Sequence, residues 1–152
     1  KSLHMTSPYF IPDDSILTAI KTAALSGVDV KLILPARPDH KIVYWATMSY
    51  LEELLEAGVN VYLYEKGFIH AKILIVDGVV ASLGTANMDI RSFYYNFEVN
   101  ALIYDDEIVR RLEEDFQRDL KHSRRVTLGD TYGRPLRQKL KESSARLFSP
   151  LL

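Results

Sequence analysis

The chain carries His70-Ala71-Lys72, followed at fixed intervals by Asp77, Gly84, Thr85 and Asn87, which spells H-x-K-x4-D-x6-G-[ST]-x-N. Each polar residue in the pattern is of a kind that handles a phosphoryl group. An imidazole serves as nucleophile or proton carrier, an ammonium as counter-charge, and a hydroxyl and an amide as hydrogen-bonding groups. At about 5% usage per residue type, six fixed positions recur by chance in a chain of this length roughly a few times per million. The signal lies in the full spacing, because a His–Lys pair alone is common.

The elements that must position these groups surround them. Phe68 to Val76 is an apolar run of strand length, bounded by Gly67 and by Asp77-Gly78, and predicts a strand. Side chains at i and i+2 of a strand share a face, which sets His70 beside Lys72, with Leu74 and Val76 beyond. Asp77-Gly78 predicts a tight hairpin turn, and Val79 to Leu83 the return strand. That strand ends at Gly84, where the backbone, lacking a Cβ, is free to approach a ligand closely. Thr85 and Asn87 then add their polar groups near the His–Lys pair. A lysine in an apolar strand marks either a protected sheet edge or a cleft that needs a fixed cation. With Gly-Thr-x-Asn in register, the cleft is the better reading. Asp77 also reads as an ordinary turn residue.

This pattern resembles the HKD motif of the phospholipase D superfamily and matches it at every fixed position. The resemblance implies metal-free phosphodiester transfer. One His attacks phosphorus to form a phosphohistidine; a second His protonates the departing alcohol and then activates the acceptor. It further implies that His70, Lys72 and Asp77 are the catalytic residues, and that Lys72, Thr85 and Asn87 hold the phosphate. Glu98, in Asn96-Phe97-Glu98-Val99-Asn100, corresponds to the carboxylate that orients the catalytic His, against the plainer reading of an outward-facing strand carboxylate.

Three further stretches narrow the resemblance to bacterial cardiolipin synthases. They are Pro8-Tyr9-Phe10-Ile11-Pro12-Asp13, Pro38-Asp39-His40 with Tyr44-Trp45-Ala46-Thr47, and Asn87-Met88-Asp89-Ile90-Arg91-Ser92. The similarity extends to Arg146-Leu147-Phe148-Ser149-Pro150-Leu151-Leu152. Those enzymes carry two HKD motifs behind membrane-spanning helices. This chain has one motif, since His4, His40 and His122 have no Lys two residues on. The resemblance therefore implies the C-terminal half of a phosphatidyltransferase that joins two phosphatidylglycerols into cardiolipin and glycerol. It implies as partners the N-terminal HKD half of the parent chain and an anionic membrane surface. The expected location is the cell membrane, with the site on its cytoplasmic side, and the isolated half is expected to lack a complete site. Two alternatives remain open: a single-motif phosphodiesterase or nuclease that completes its site as a homodimer, and a non-catalytic module that binds anionic lipid.

The whole-chain pattern suits one domain over residues 1–152. Strands at Ser2–Ser7, Val28–Leu34 and Val59–Tyr64 alternate with helices. The first helix starts at an Asp13 or Asp14 cap and runs through Ser26, and the second spans about Lys41 to Ala57. A short helical turn at Met88–Phe93 precedes the Glu98 strand, and a helix capped by Asp105 or Asp106 reaches about His122. This order predicts an α/β fold, a phospholipase D-like sandwich with a central mixed β-sheet flanked by α-helices. The four histidines lack helical metal-ligand spacing, so neither metal nor other cofactor is expected. The net charge of −1 argues against a dedicated nucleic-acid partner. Residues 123–152 read as a basic C-terminal tail, either a solvated face or a contact for anionic headgroups. Tyr44, Trp45 and Tyr50 read as core, and Arg91 as a phosphate fork or a partner of Asp89 or Glu98.

Overall fold

The computed structural model describes residues 1–37 and 39–149. Pro38, in the Pro38-Asp39-His40 loop, and the closing Pro150-Leu151-Leu152 lie outside the described residues. The chain runs β1 (Ser2–Thr6), β2 (Phe10–Ile11), α1 (Asp14–Leu25), β3 (Asp29–Pro35), α2 (Lys41–Ser49), α3 (Leu51–Glu56), β4 (Asn60–Tyr64) and β5 (Ile73–Val76). It continues with β6 (Val80–Gly84), β7 (Met88–Asp89), α4 (Ile90–Tyr94), β8 (Asn100–Ile103), α5 (Asp106–Lys121), β9 (Ser123–Arg125), α6 (Leu128–Tyr132) and α7 (Leu136–Leu147).

Seven strands form one sheet in the order β8-β6-β5-β1-β3-β4-β9, and β2 pairs with β7 in a small second sheet. β1, β3 and β4 run parallel; β5, β6, β8 and β9 join antiparallel. The sheet is therefore mixed, with a helical layer on each face. On one face Leu17 and Ile20 of α1, Met48 of α2 and Leu51 and Leu54 of α3 close over Met5, Val30, Leu32 and Val61. On the other, Val109 and Phe116 of α5 close over Ile33, Ile75 and Ala81. α5 satisfies its first turn through Asp105, whose carboxylate accepts from Ile108 N–H at 2.9 Å, as Asp13 does for α1 through Ile16 N–H at 2.8 Å.

Three sequence expectations change. The single helix over Lys41–Ala57 is two, broken at Tyr50. Ser49 Oγ donates to the Ala46 carbonyl at 2.6 Å, a side-chain bond that competes with helix continuation. Tyr50 turns inward against Phe10, its ring centroid 6.3 Å away. Second, the strand expected over Phe68–Val76 is paired in the sheet only from Ile73, with one further bond from Gly84 N–H to the Lys72 carbonyl at 3.3 Å. Its neighbour β1 ends at Thr6 opposite Ile73; Ser7 N–H then bonds Ile33 O instead, and Pro8 has no N–H to give. Third, the basic segment is no free tail: β9 extends the sheet, and Ala145 of α7 belongs to the core that holds Ala46 and Met48 of α2.

Candidate active site

The ends of the strands collect the site. β1 and β3 finish at one edge of the sheet; β5 begins there and β6 returns there. The loops leaving β1, β3 and β6 and the segment entering β5 therefore converge, the usual place for a ligand site in sheets with parallel strands. His70 and Lys72 lie in the entering segment. Although this stretch has left the ladder, its alternation persists, because Ile69, Ala71, Ile73 and Ile75 all pack into the α5-side core. That anchoring turns the even-numbered residues the other way.

His70 is exposed, and among the described residues its side chain makes no hydrogen bond. Two rings frame it: Tyr9, with centroids 6.4 Å apart and nearly perpendicular planes, and Phe68 at 5.6 Å. Tyr9 OH donates to Asp39 Oδ2, and His40 lies 6.4 Å from the Tyr9 ring. Burial, then donation to Asp39, pushes the Tyr9 hydroxyl up to about 12, so it remains a neutral donor at any working pH. Burial alone would raise Asp39, but the Tyr9 hydroxyl and the His40 N–H outweigh it and hold the carboxyl below its ordinary range. In sequence Tyr9, Asp39 and His40 stand out only as parts of family-like stretches. Their place beside His70 follows from the convergence of the β1 and β3 loops.

Lys72 is half-buried and its Nζ donates to the His70 carbonyl at 3.0 Å. It lines a cavity of about 110 Å³ with Ser7, Ser82, Met88 and Asn100. Burial drags its pKa below the ordinary lysine value, against the pull of the Glu98, Asp89 and Asp39 carboxylates.

The loop after β6 is held by groups the motif does not contain. Asn100 Oδ1 accepts from Thr85 N–H and Ala86 N–H, each at 3.2 Å. The Thr85 hydroxyl accepts from Val99 N–H at 2.9 Å, and its one proton is shared between Val99 O at 3.4 Å and the Glu98 carboxylate, so it is engaged with the segment leading into β8. Asn87 N–H donates to Ser92 Oγ at 3.0 Å, and Asp89 accepts from Ser92 N–H at 2.7 Å. The Asn87 Oδ1 atom is buried without a partner among the described residues. A buried polar atom left unpaired costs about 1–3 kcal/mol, and an amide flip would exchange it for a donor.

Two expected site residues make no hydrogen bond to His70 among the described residues. On Glu98, Ser92 Oγ and Asn96 Nδ2 donate to Oε1 at 3.0 and 3.2 Å. The Thr85 hydroxyl, then those donors and the Lys72 charge, hold Glu98 below the usual carboxylate range. Glu98 thus secures the Asn87–Ser92 loop, and the irregular lead-in to β8 directs it there. Asp77 sits at the far end of β5, roughly 20 Å from His70 at about 3.3 Å per extended residue. It occupies the hairpin with φ +56° and accepts from Ser2 N–H at 2.7 Å, a turn and strand-tying role. At Gly84 the close approach is that of Asn100 and Val99, which stand where a Cβ would be. Arg91 is exposed and makes no ion pair with Asp89 or Glu98 among the described residues.

Residues 1–120 match the family described as cardiolipin synthase, PLD-like domain. The cardiolipin synthase of Geobacillus kaustophilus is 54% identical over 152 residues, all of this chain and 30% of the relative. The chain thus spans about a third of the length of the curated relatives it matches. Among solved structures, the phospholipase D family member Nuc from Salmonella typhimurium superposes with TM-score 0.72 at 24% identity, covering 84% of this chain and 82% of that one. The phosphatidylserine synthase of Haemophilus influenzae superposes with TM-score 0.78 at 20% identity, covering 100% of this chain and 42% of that one. Both share the fold.

Proposed function

Since the chain belongs to the cardiolipin synthase family, through its phospholipase D-like domain, we propose that it is one catalytic half of a phosphatidyltransferase making cardiolipin from two phosphatidylglycerols. The observation that carries this reading is the exposed His70 imidazole, which makes no side-chain hydrogen bond among the described residues, with Lys72 Nζ held at the His70 carbonyl. His70 supplies one of two imidazoles, and a second HKD half supplies the other. In the first step the nucleophilic imidazole forms a P–N bond as the glycerol oxygen leaves phosphorus, taking its proton from the second imidazole. In the next, that second imidazole takes the proton of an incoming phosphatidylglycerol hydroxyl, whose oxygen displaces the histidine. Lys72 and the Asn87 amide meet the phosphate oxygens, where cation and donor placement supplies the stabilisation. Thr85 contributes through the loop shape it fixes.

The partner half has a surface to cover. Around Glu98, Phe97 is fully exposed, and Val99, Leu102 and Tyr104 are 75%, 65% and 71% exposed, an apolar edge of the kind that marks an interaction site. The test is to assay this chain alone and the full-length protein that contains it, on phosphatidylglycerol. Full-length protein is expected to release one glycerol per cardiolipin, with this chain alone inactive. A chain that sediments as a dimer and cleaves a simple phosphodiester unaided would replace the transferase reading with a symmetric phosphodiesterase.

The Lys72 shift sets a pH dependence. A lysine pKa pulled down means that the cation disappears at lower pH than for a free lysine. Turnover in the full-length protein should therefore fall on the alkaline side, below the usual lysine range near 10.4. Lys72→Arg, which keeps its charge, should lose that descending limb even if its maximum is lower. An unchanged alkaline limb in the Arg variant would separate Lys72 from the phosphate.

A further inference from the structure

α7 is buried on one side and apolar on the other. Ala145 and Glu142 face inward, the latter in a buried pair with Arg134 at 2.8 Å. The outer side presents Leu136, Leu140 and Leu147 at 73%, 59% and 81% exposure, followed by Phe148 at 56%. α2 continues this face with Ile42, 52% exposed, and Trp45. Between the helices runs a groove of about 320 Å³ lined by Ile42, Trp45, Leu140, Lys141, Ser144 and Phe148.

The charges on this face have one sign. Lys41, Arg137 and Lys141 border it, and none has a carboxylate partner among the described residues. Lys141 instead rests its ammonium over the Trp45 ring, 5.2 Å from the centroid. Glu142 is the one carboxylate between residues 131 and 149, and it is spent on Arg134. Exposed leucines and aromatics bordered by unpaired cations form the surface that an anionic lipid interface fits. The other apolar region, around Phe97 and Tyr104, runs into Asp105, Asp106 and Glu107, whose charge an anionic interface repels. The cationic face also adjoins the site: α2 begins directly after His40, within one ring of Tyr9 and two of His70.

We propose that the α2–α7 face is a docking surface for an anionic phospholipid bilayer, with the Trp45–Phe148 groove entering the acyl boundary and His70 held at headgroup level. The choice of occupant rests on the lipid-substrate reading above; the face itself does not. Lipid seated there would approach His70 from the membrane side, without leaving the interface.

Trp45 is the sole tryptophan and reports directly on the groove. Titrated with vesicles of mixed phosphatidylglycerol and phosphatidylcholine, the 152-residue chain should show a blue-shifted Trp45 emission that lipids brominated on their acyl chains quench. Pure phosphatidylcholine vesicles should bind far more weakly. Leu140→Asp and, separately, Leu147→Asp should abolish binding; both positions are exposed, and circular dichroism checks that each variant is folded. Arg137→Gln and Lys141→Gln should each weaken binding about fivefold, the equivalent of one surface cation. Phe97→Asp, on the other apolar region, should bind as the parent does.

No emission shift with phosphatidylglycerol vesicles, equal binding to neutral vesicles, or loss of binding in Phe97→Asp rather than Leu140→Asp would each overturn the proposal. Turnover of a short-chain, vesicle-free phosphatidylglycerol by the full-length protein is read separately. Docking without turnover counts against the transferase reading alone, and turnover without docking against this surface alone.

Discussion

His70→Ala in the full-length protein is expected to abolish cardiolipin formation and to leave the fold nearly untouched. The two effects separate because of where the imidazole sits. It is exposed, and it makes no side-chain hydrogen bond among the described residues. Its packing is confined to ring contacts with Tyr9 and Phe68 at 6.4 and 5.6 Å. Aromatic contacts of this kind contribute about 0.5–1.5 kcal/mol, the most that the substitution should cost in stability. The chemical loss is larger. Removing a positioned acid–base group costs about 10²- to 10⁴-fold in rate, roughly 3–5 kcal/mol of barrier, and loss of a nucleophile leaves no covalent route at all. Thermal melting within a few degrees of the parent, with phosphatidylglycerol turnover down at least a hundredfold, is the expected pair of results. Turnover within threefold of the parent would take His70 out of the reaction.

Sequence made the residues of this site legible better than their division of labour. Spacing placed His70 and Lys72 together, and period-2 alternation held even where the strand itself did not form. The apolar partners Ile69 and Ala71 keep the segment extended after the hydrogen bonds stop. Helix caps were legible for a local reason: Asp13 and Asp105 need only the backbone three residues on. Roles set by distant contacts were not. Nothing within the spacing says that Asp77 ties the hairpin to β1, or that Glu98 turns to Ser92 and Asn96. In sequence Asn100 is only the last residue of the Asn96–Asn100 stretch, yet its amide oxygen holds the Thr85–Ala86 backbone. That contact exists because β8 returns antiparallel to β6, a long-range pairing that local pattern cannot fix. The Tyr9–Asp39 pair was out of reach for the same reason, since it joins loops thirty residues apart.

Gly84→Ala should destabilise the protein more than any other single-methyl addition at its glycines. A Cβ at Gly84 would lie 2.2 Å from both Asn100 Oδ1 and Val99 O, and 2.6 Å from Asn100 Cα. The Asn100 side chain has a rotamer to escape into, but leaving strips Ala86 N–H of its acceptor and leaves Thr85 N–H with the Val99 carbonyl alone. Val99 O is backbone and has no such escape, so β8 itself must move, and with it the pairing of Gly84 with Asn100. Overpacking of this kind costs about 1–3 kcal/mol and occasionally more, and each displaced hydrogen bond adds roughly 1 kcal/mol. A loss of about 3 kcal/mol or more is therefore expected from urea unfolding with an unchanged m-value. Gly78 provides the contrast. A Cβ there meets open space, and its φ of +65° leaves only left-handed strain of about 1–2 kcal/mol. Gly84→Ala combined with Asn100→Ala should not recover stability, because the Val99 carbonyl still stands 2.2 Å from the new methyl. The same displacement shifts Thr85 to Asn87 away from Lys72, so surviving folded protein should also lose turnover. Stability within 1 kcal/mol of the parent would show that β8 can retreat freely, and that Gly84 is not what holds the Thr85–Asn87 loop against it.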